Sequence, residues 1–131
     1  MEFIHNIGKR IREEIILTLL SNRSKKELAS LMGVSQAAIT KFTKGEIHPS
    51  DESMMRLINS LNEEEKRTVF TLIFKELAKS IEEVLNGYIK YIDKGETKHE
   101  MSYLVEKIIE LYETNGSSVQ TKHKGYRMKE T

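Results

Sequence analysis

Gln36, Ala37, Thr40, Lys41 and Lys44 are the residues in this chain whose types and spacing point to chemistry. Successive steps of one, three, one and three residues put all five on one side of an α-helix, with Ile39 and Phe42 on the other. The outward side is polar, slim and cationic. In the major groove, a Gln amide can pair bidentately with adenine and a Lys can reach the guanine acceptors. The small Ala37 lets the backbone come close and can touch a thymine methyl. Ser35 stands where this helix begins, and free amides at the positive end of the helix dipole suit a phosphate. This is the chemistry of recognition rather than of bond breaking.

Other chemistries lack their residues. The chain has no Cys, which excludes disulfide frameworks, thiolate metal sites and Cys nucleophiles. His5, His48, His99 and His123 are scattered without ligand spacing, so no metal or cofactor is expected. There is no G-x-G-x-x-G, phosphate loop, G-x-S-x-G or H-E-x-x-H pattern, and no enzyme activity is expected. Glu63-Glu64-Glu65 opens a helix, where carboxylates complement the dipole.

The elements that must hold the polar helix are legible from caps and periodicity. Ile11, Ile15 and Leu19 mark a first helix, whose basic residues Lys9, Arg10 and Arg12 read as solvated. Ser24 with Glu27 forms a capping box for a second helix that runs to Met32 and stops at Gly33. Ser35 caps the third, Gln36 to Lys44, which Gly45 closes. Two helices joined by so short a turn cross steeply, with Ala29 at the close approach and Gly33 in the turn. Leu28, Met32, Val34, Ile39 and Phe42 should seal the pair. Ser50 caps a fourth helix carrying Met54, Leu57, Ile58 and Leu61. Asn62 with Glu65 caps a long helix to about Tyr91. A turn is expected at Asp93–Glu96, after which Thr97 with Glu100 caps a last helix through Met101, Leu104, Val105, Ile108 and Ile109. The pattern is lost after Asn115, with only a faint chance of a strand around 118–128.

Leu28-Ala29, Gly33-Val34-Ser35-Gln36, Ile39, Lys44-Gly45 and Pro49-Ser50 resemble the helix-turn-helix of the lambda repressor/Cro-like (XRE-type) family. The resemblance covers Lys9 to about Phe74. It implies a compact bundle of about five helices and a sequence-specific regulator that binds double-stranded DNA, usually as a homodimer on a pseudo-palindromic operator. Gln36 matches the family's base-reading Gln, and Ala37, Thr40 and Lys41 match its other groove-facing positions. Lys25-Lys26 stand where the family often has Gln, and Thr43 is small where it often has an aromatic or charged residue. Phosphate contacts are expected from Lys25, Lys26, Ser35 and Lys44.

Phe70, Phe74, Leu77, Ile81, Val84, Tyr88 and Tyr91 are spaced four and three in alternation, a heptad seam for a homodimer. Ile73, Leu85, Ile89 and Ile92 form a second row. Two rows exceed one seam, so one is expected to face the last helix of the same chain, folded back at Gly95, and the other a second subunit. The organisation expected is therefore all-α: a DNA-binding domain at 1–61, core 9–61; a long helix and helical hairpin for dimerisation at 62–114; and a flexible basic tail at 115–131. Charge follows these divisions, at nine basic against seven acidic side chains, then eight against twelve, then four against one. The tail could add phosphate contacts or simply solvate. The acidic middle suits a protein partner, and the same fold serves in antitoxins and transcription adaptors, which is the rival to the repressor reading. No stretch approaches the ~20 apolar residues of a membrane span, and the first residues lack the apolar run of a signal peptide, so the expected place is the cytoplasm.

Overall fold

The computed structural model describes residues 1–114, and the expectations for 115–131 lie outside them. Among the described residues there are six α-helices and no strand: α1 (Lys9–Leu19), α2 (Lys25–Met32), α3 (Gln36–Thr43), α4 (Asp51–Asn59), α5 (Glu63–Tyr88) and α6 (Lys94–Thr114). Short 3-10 turns occupy Glu2–Asn6 and Ile89–Tyr91. The chain divides into a compact unit, Met1–Asn86, and a second that begins at Gly87.

The caps read from the sequence for α2 to α5 are in place. Ser24 Oγ accepts from Glu27 N–H at 3.1 Å, and the Glu27 carboxylate accepts from Ser24 N–H at 3.4 Å. Ser35 and Ser50 accept from Ala38 and Ser53 N–H at 3.0 and 3.1 Å. Asn62 and Glu65 form the same reciprocal pair at 2.8 and 3.0 Å. Each satisfies amides that the first helical turn leaves without a partner.

The core of the first unit gathers Ile11, Ile15, Ile16 and Leu19 of α1, Leu28 and Met32 of α2, Ile39 and Phe42 of α3, and Met54, Leu57 and Ile58 of α4. Val69 and Ile73 of α5 complete it, so the boundary drawn at 61 falls inside this unit. Ile73 belongs to the core rather than to an interface row. Val34, expected inside, is only half-buried. The 3-10 turn at Glu2–Asn6 was not foreseen; it buries Ile4 completely, and Phe3 meets the Phe70 ring at 5.6 Å between centroids.

Arg12 overturns the reading of a solvated first helix. It is 8% exposed and has four acceptors: Ile7 O at 3.1 Å, Ile4 O at 2.7 Å, Pro49 O at 2.9 Å and Asp51 Oδ1 at 2.6 Å. The planar guanidinium fork supplies the several donors that make burial of its charge tolerable. Arg10 is not simply solvated either: Nη2 donates to both Glu76 carboxylate oxygens at 2.8 Å, tying α1 to α5. Arg23, just past α1, pairs with Glu65 at 2.6 and 2.9 Å, and this hydrogen bonding holds the Glu65 carboxyl below the usual carboxylate range.

Beyond Asn86 two expectations change. The long helix ends at Tyr88, which leaves helical dihedrals at φ −134° and ψ 12°, so Tyr91 sits in the 3-10 turn and off the α5 register. The turn expected at Asp93–Glu96 is instead the start of α6. Asp93 Oδ1 accepts from Glu96 N–H at 3.1 Å, while the Thr97 hydroxyl donates back to Asp93 O at 2.8 Å. Asp93 thus takes the capping role assigned to Thr97, as the better N-cap residue one turn earlier.

Replacing Arg12 by Met strands three buried carbonyls at about 1 kcal/mol each. Arg12→Met should lower unfolding stability by about 3 kcal/mol in urea titration. A loss below about 1 kcal/mol would show that water replaces the clamp.

Candidate nucleic-acid interface

α2 and α3 are joined by three residues, and the joint opens on a glycine. Gly33 adopts φ +70°, which most side chains avoid, and Val34 N–H returns to Ala29 O at 3.0 Å. Gly45 repeats the device after α3, also at φ +70°, with Glu46 N–H bonded to Lys41 O at 3.0 Å. The recognition-type helix is therefore closed at both ends within eight residues.

Along α3, Ile39 and Phe42 are buried and anchor the helix from beneath. Gln36, Ala37, Lys41 and Lys44 are exposed on the opposite strip. Thr40 is half-buried at its edge, and its Oγ1 receives Lys25 Nζ at 3.1 Å. Lys25, expected only as a phosphate contact, thereby bridges the start of α2 to the middle of α3. Lys26 stays exposed beside it. Ser35 uses its hydroxyl oxygen on the Ala38 amide, so the Gln36 and Ala37 amides of the first turn have no intrahelical acceptor. The structure thus brings Gln36, Ala37, Thr40, Lys41 and Lys44 onto one strip, with Lys25 at its side and Ser35 at its end.

Sequence reasoning missed Arg56. This α4 residue lies over Gly33: a Cβ there would collide with the Arg56 guanidinium, which also pairs with Glu52 at 3.2 Å. It adds a cation beside the turn that leads into α3. Its spacing from Glu52 announces only an ordinary i,i+4 pair, and nothing in the linear sequence ties it to Gly33.

The seven residues read as a seam are all exposed in the chain, including Phe74 at 57% and Ile81 at 54%. Phe70 is partly engaged by Phe3. Among the described residues no group of His, Asp or Glu could hold a metal ion, and no helix is long and apolar enough to cross a membrane. Pockets are shallow: a polar one of about 450 Å³ is lined by Thr18, Asn22, Asn62 and the Arg23–Glu65 pair, whose charges already satisfy each other.

Residues 9–66 match the family model described as helix-turn-helix, of the XRE/lambda-repressor-like kind. No curated protein and no solved structure matches the chain.

Gly33→Ala combines a left-handed backbone with a clash against Arg56. It should cost about 1–2 kcal/mol of stability by thermal or urea unfolding. The Arg56 guanidinium is the far end of an exposed side chain and can swing aside, so adding Arg56→Ala should recover little and leave the backbone part. Full recovery would show that the φ value is not the constraint.

Proposed function

We propose that this protein is a transcriptional regulator that binds a pseudo-palindromic operator as a homodimer and represses by occupying it, a reading supported by the match of residues 9–66 to a helix-turn-helix family model. The observation that carries the reading is the free strip of α3: Gln36, Ala37, Lys41 and Lys44 all face outward over a fully buried Ile39. In the proposed complex α3 enters the major groove. Gln36 pairs with a base edge, Ala37 contacts a thymine methyl, and Thr40 and Lys41 read the neighbouring positions. Lys25, Lys26, Lys44 and the first-turn amides at Ser35 hold phosphates and set the register. Lys25 can do so while its ammonium keeps one of three donors on Thr40.

One such helix reads too few base pairs for an operator. Two on a dyad, about 34–36 Å apart, read one palindrome. The exposed α5 row Phe70, Phe74, Leu77, Ile81, Val84 and Tyr88 is the seam that would join them. An adaptor or antitoxin would instead use the acidic segment 62–114 on another protein and bind DNA weakly.

Sites selected from random duplexes at about 0.15 M salt should converge on a palindrome. On that site Gln36→Ala should cost about 1–3 kcal/mol and relax one position, while Lys44→Ala should weaken all sequences alike and reduce the salt slope by about one. Equal loss on selected and random DNA would remove Gln36 from base reading, and a flat selection would favour the adaptor.

Ile81→Lys should convert dimers to monomers in light scattering, with operator affinity falling in step. A variant that stays dimeric places the seam off α5.

A further inference from the structure

α6 buries none of its residues within the described chain. Its apolar side chains Met101, Leu104, Val105 and Ile108 are 39%, 55%, 50% and 41% exposed. At 3.6 residues per turn they fill an arc of about 100°, the width of a packing face. Helices in proteins draw most of their stability from packing of such a face rather than from propensity, so the face calls for a cover.

We propose that the cover is α6 of a second copy, packed antiparallel about a dyad near Ser102–Tyr103. The charges beside the stripe carry this choice. Glu100 and Lys107 flank one edge of it, seven positions apart, with no other charge on that edge between them. An antiparallel copy centred near Ser102–Tyr103 brings Glu100 opposite Lys107 of the second copy, and Lys107 opposite its Glu100. Met101 then meets the second Leu104, and Thr97 the second Ile108. Sliding the copy so that Met101 meets Leu111 sets Lys107 against Lys107. Sliding it the other way sets Glu100 against Glu100. A parallel pairing sets Glu100 beside Val105 and Lys107 beside Tyr112, with no charge partner for either. Only one register is self-complementary, as an isologous contact requires. Lys107 can leave its present partner, because its 3.0 Å pair with Glu110 is exposed on both sides and such pairs contribute little.

On the opposite edge Lys98 faces the second Val105, which its aliphatic stem can cover. Four apolar side chains per copy are a small contact beside the roughly 800 Å² per partner of a standard interface. The contact therefore rests on the homodimer proposed above and adds to it, and it does not require DNA.

The chain has no native Cys, so introduced thiols report without background. Thr97→Cys and Ile108→Cys, prepared singly and mixed under mild oxidation, should yield mostly the 97–108 cross-link. Each alone should yield little, because its two copies lie about 16 Å apart in this register. Adding Glu100→Lys to both should lower the cross-link yield about fivefold, and Lys107→Glu on top should restore it. Ile81→Cys, oxidised in parallel, reports the α5 seam separately. Cross-linking at 81 without 97–108 would overturn the α6 pairing and leave the homodimer standing. Cross-linking at 97–108 without 81 would support α6 and move the seam off α5. Cross-linking at neither overturns both, and equal self-linking at 97 and 108 overturns the antiparallel register.

Discussion

A buried guanidinium sets the geometry of the helix-turn-helix unit. Arg12 lies inside the molecule, and an ionised group there is tolerable only when its donors find acceptors, as four of its five N–H groups do. Its acceptors come from three places: the amino-terminal 3-10 turn through Ile4 O and Ile7 O, the loop after α3 through Pro49 O, and the first turn of α4 through Asp51. His5 and Arg12 both hydrogen-bond the Asp51 carboxylate and hold its carboxyl below the usual range. The loop that leaves α3 is thereby tied to α1. Since α3 also rests on the core through Ile39 and Phe42, the helix is fixed both beneath and beyond its end. In the proposed complex, where α3 would present side chains to base edges within hydrogen-bond tolerance, such fixing is what the geometry needs.

The outward strip of α3 shows the complementary property. Its long cations are lightly engaged: Lys41 and Lys44 are exposed, and Lys25 makes one hydrogen bond to a neutral hydroxyl. Among the described salt bridges the well-made pairs are elsewhere, at Arg12–Asp51, Arg10–Glu76 and Arg23–Glu65. Two of these use both carboxylate oxygens, which gives fixed geometry as well as energy. Arginines thus brace the fold, while the lysines on the α3 side remain available to phosphates as mobile point charges.

How much was legible in the sequence follows the range of each interaction. Caps and helix stops depend on residues three or four apart, so Ser24–Glu27, Ser35, Ser50, Asn62–Glu65, Gly33 and Gly45 were readable, as was the all-α helix-turn-helix fold. The outward phase of α3 was readable for the same reason. Interactions between distant residues were not. Arg12 looks like any charged residue near a helix start, because its acceptors at Pro49 and Asp51 lie 37 and 39 residues away. Arg56 over Gly33 is hidden likewise. Ile73 shares the periodicity of the exposed α5 row, and only tertiary packing separates them. The end of α5 was missed because heptad spacing continues through Tyr91 although helical backbone stops at Tyr88. Local preference at Asp93 then outweighed Thr97 as a cap.

The distribution of apolar surface bears on how affinity would be regulated. Ile73 is the last buried apolar residue of α5, and farther along it Phe74, Leu77, Ile81, Val84 and Leu85 stay exposed. Leaving so much apolar area in water is unfavourable at roughly 25 cal/mol per Å², so association of copies has a driving force that DNA need not supply. In the proposed dimer the second α3 binds as an intramolecular event, at an effective concentration set by how rigidly α5 is held. Here Arg10–Glu76 and Phe3–Phe70 matter, since both fasten α5 to the unit that carries α3. The acidic balance of residues 62–114 works in the same direction. It disfavours approach of that segment to phosphates, which in the proposed complex leaves the basic α3 face as the side a duplex would meet. Oligomerisation and orientation would then both be encoded outside the residues that touch bases.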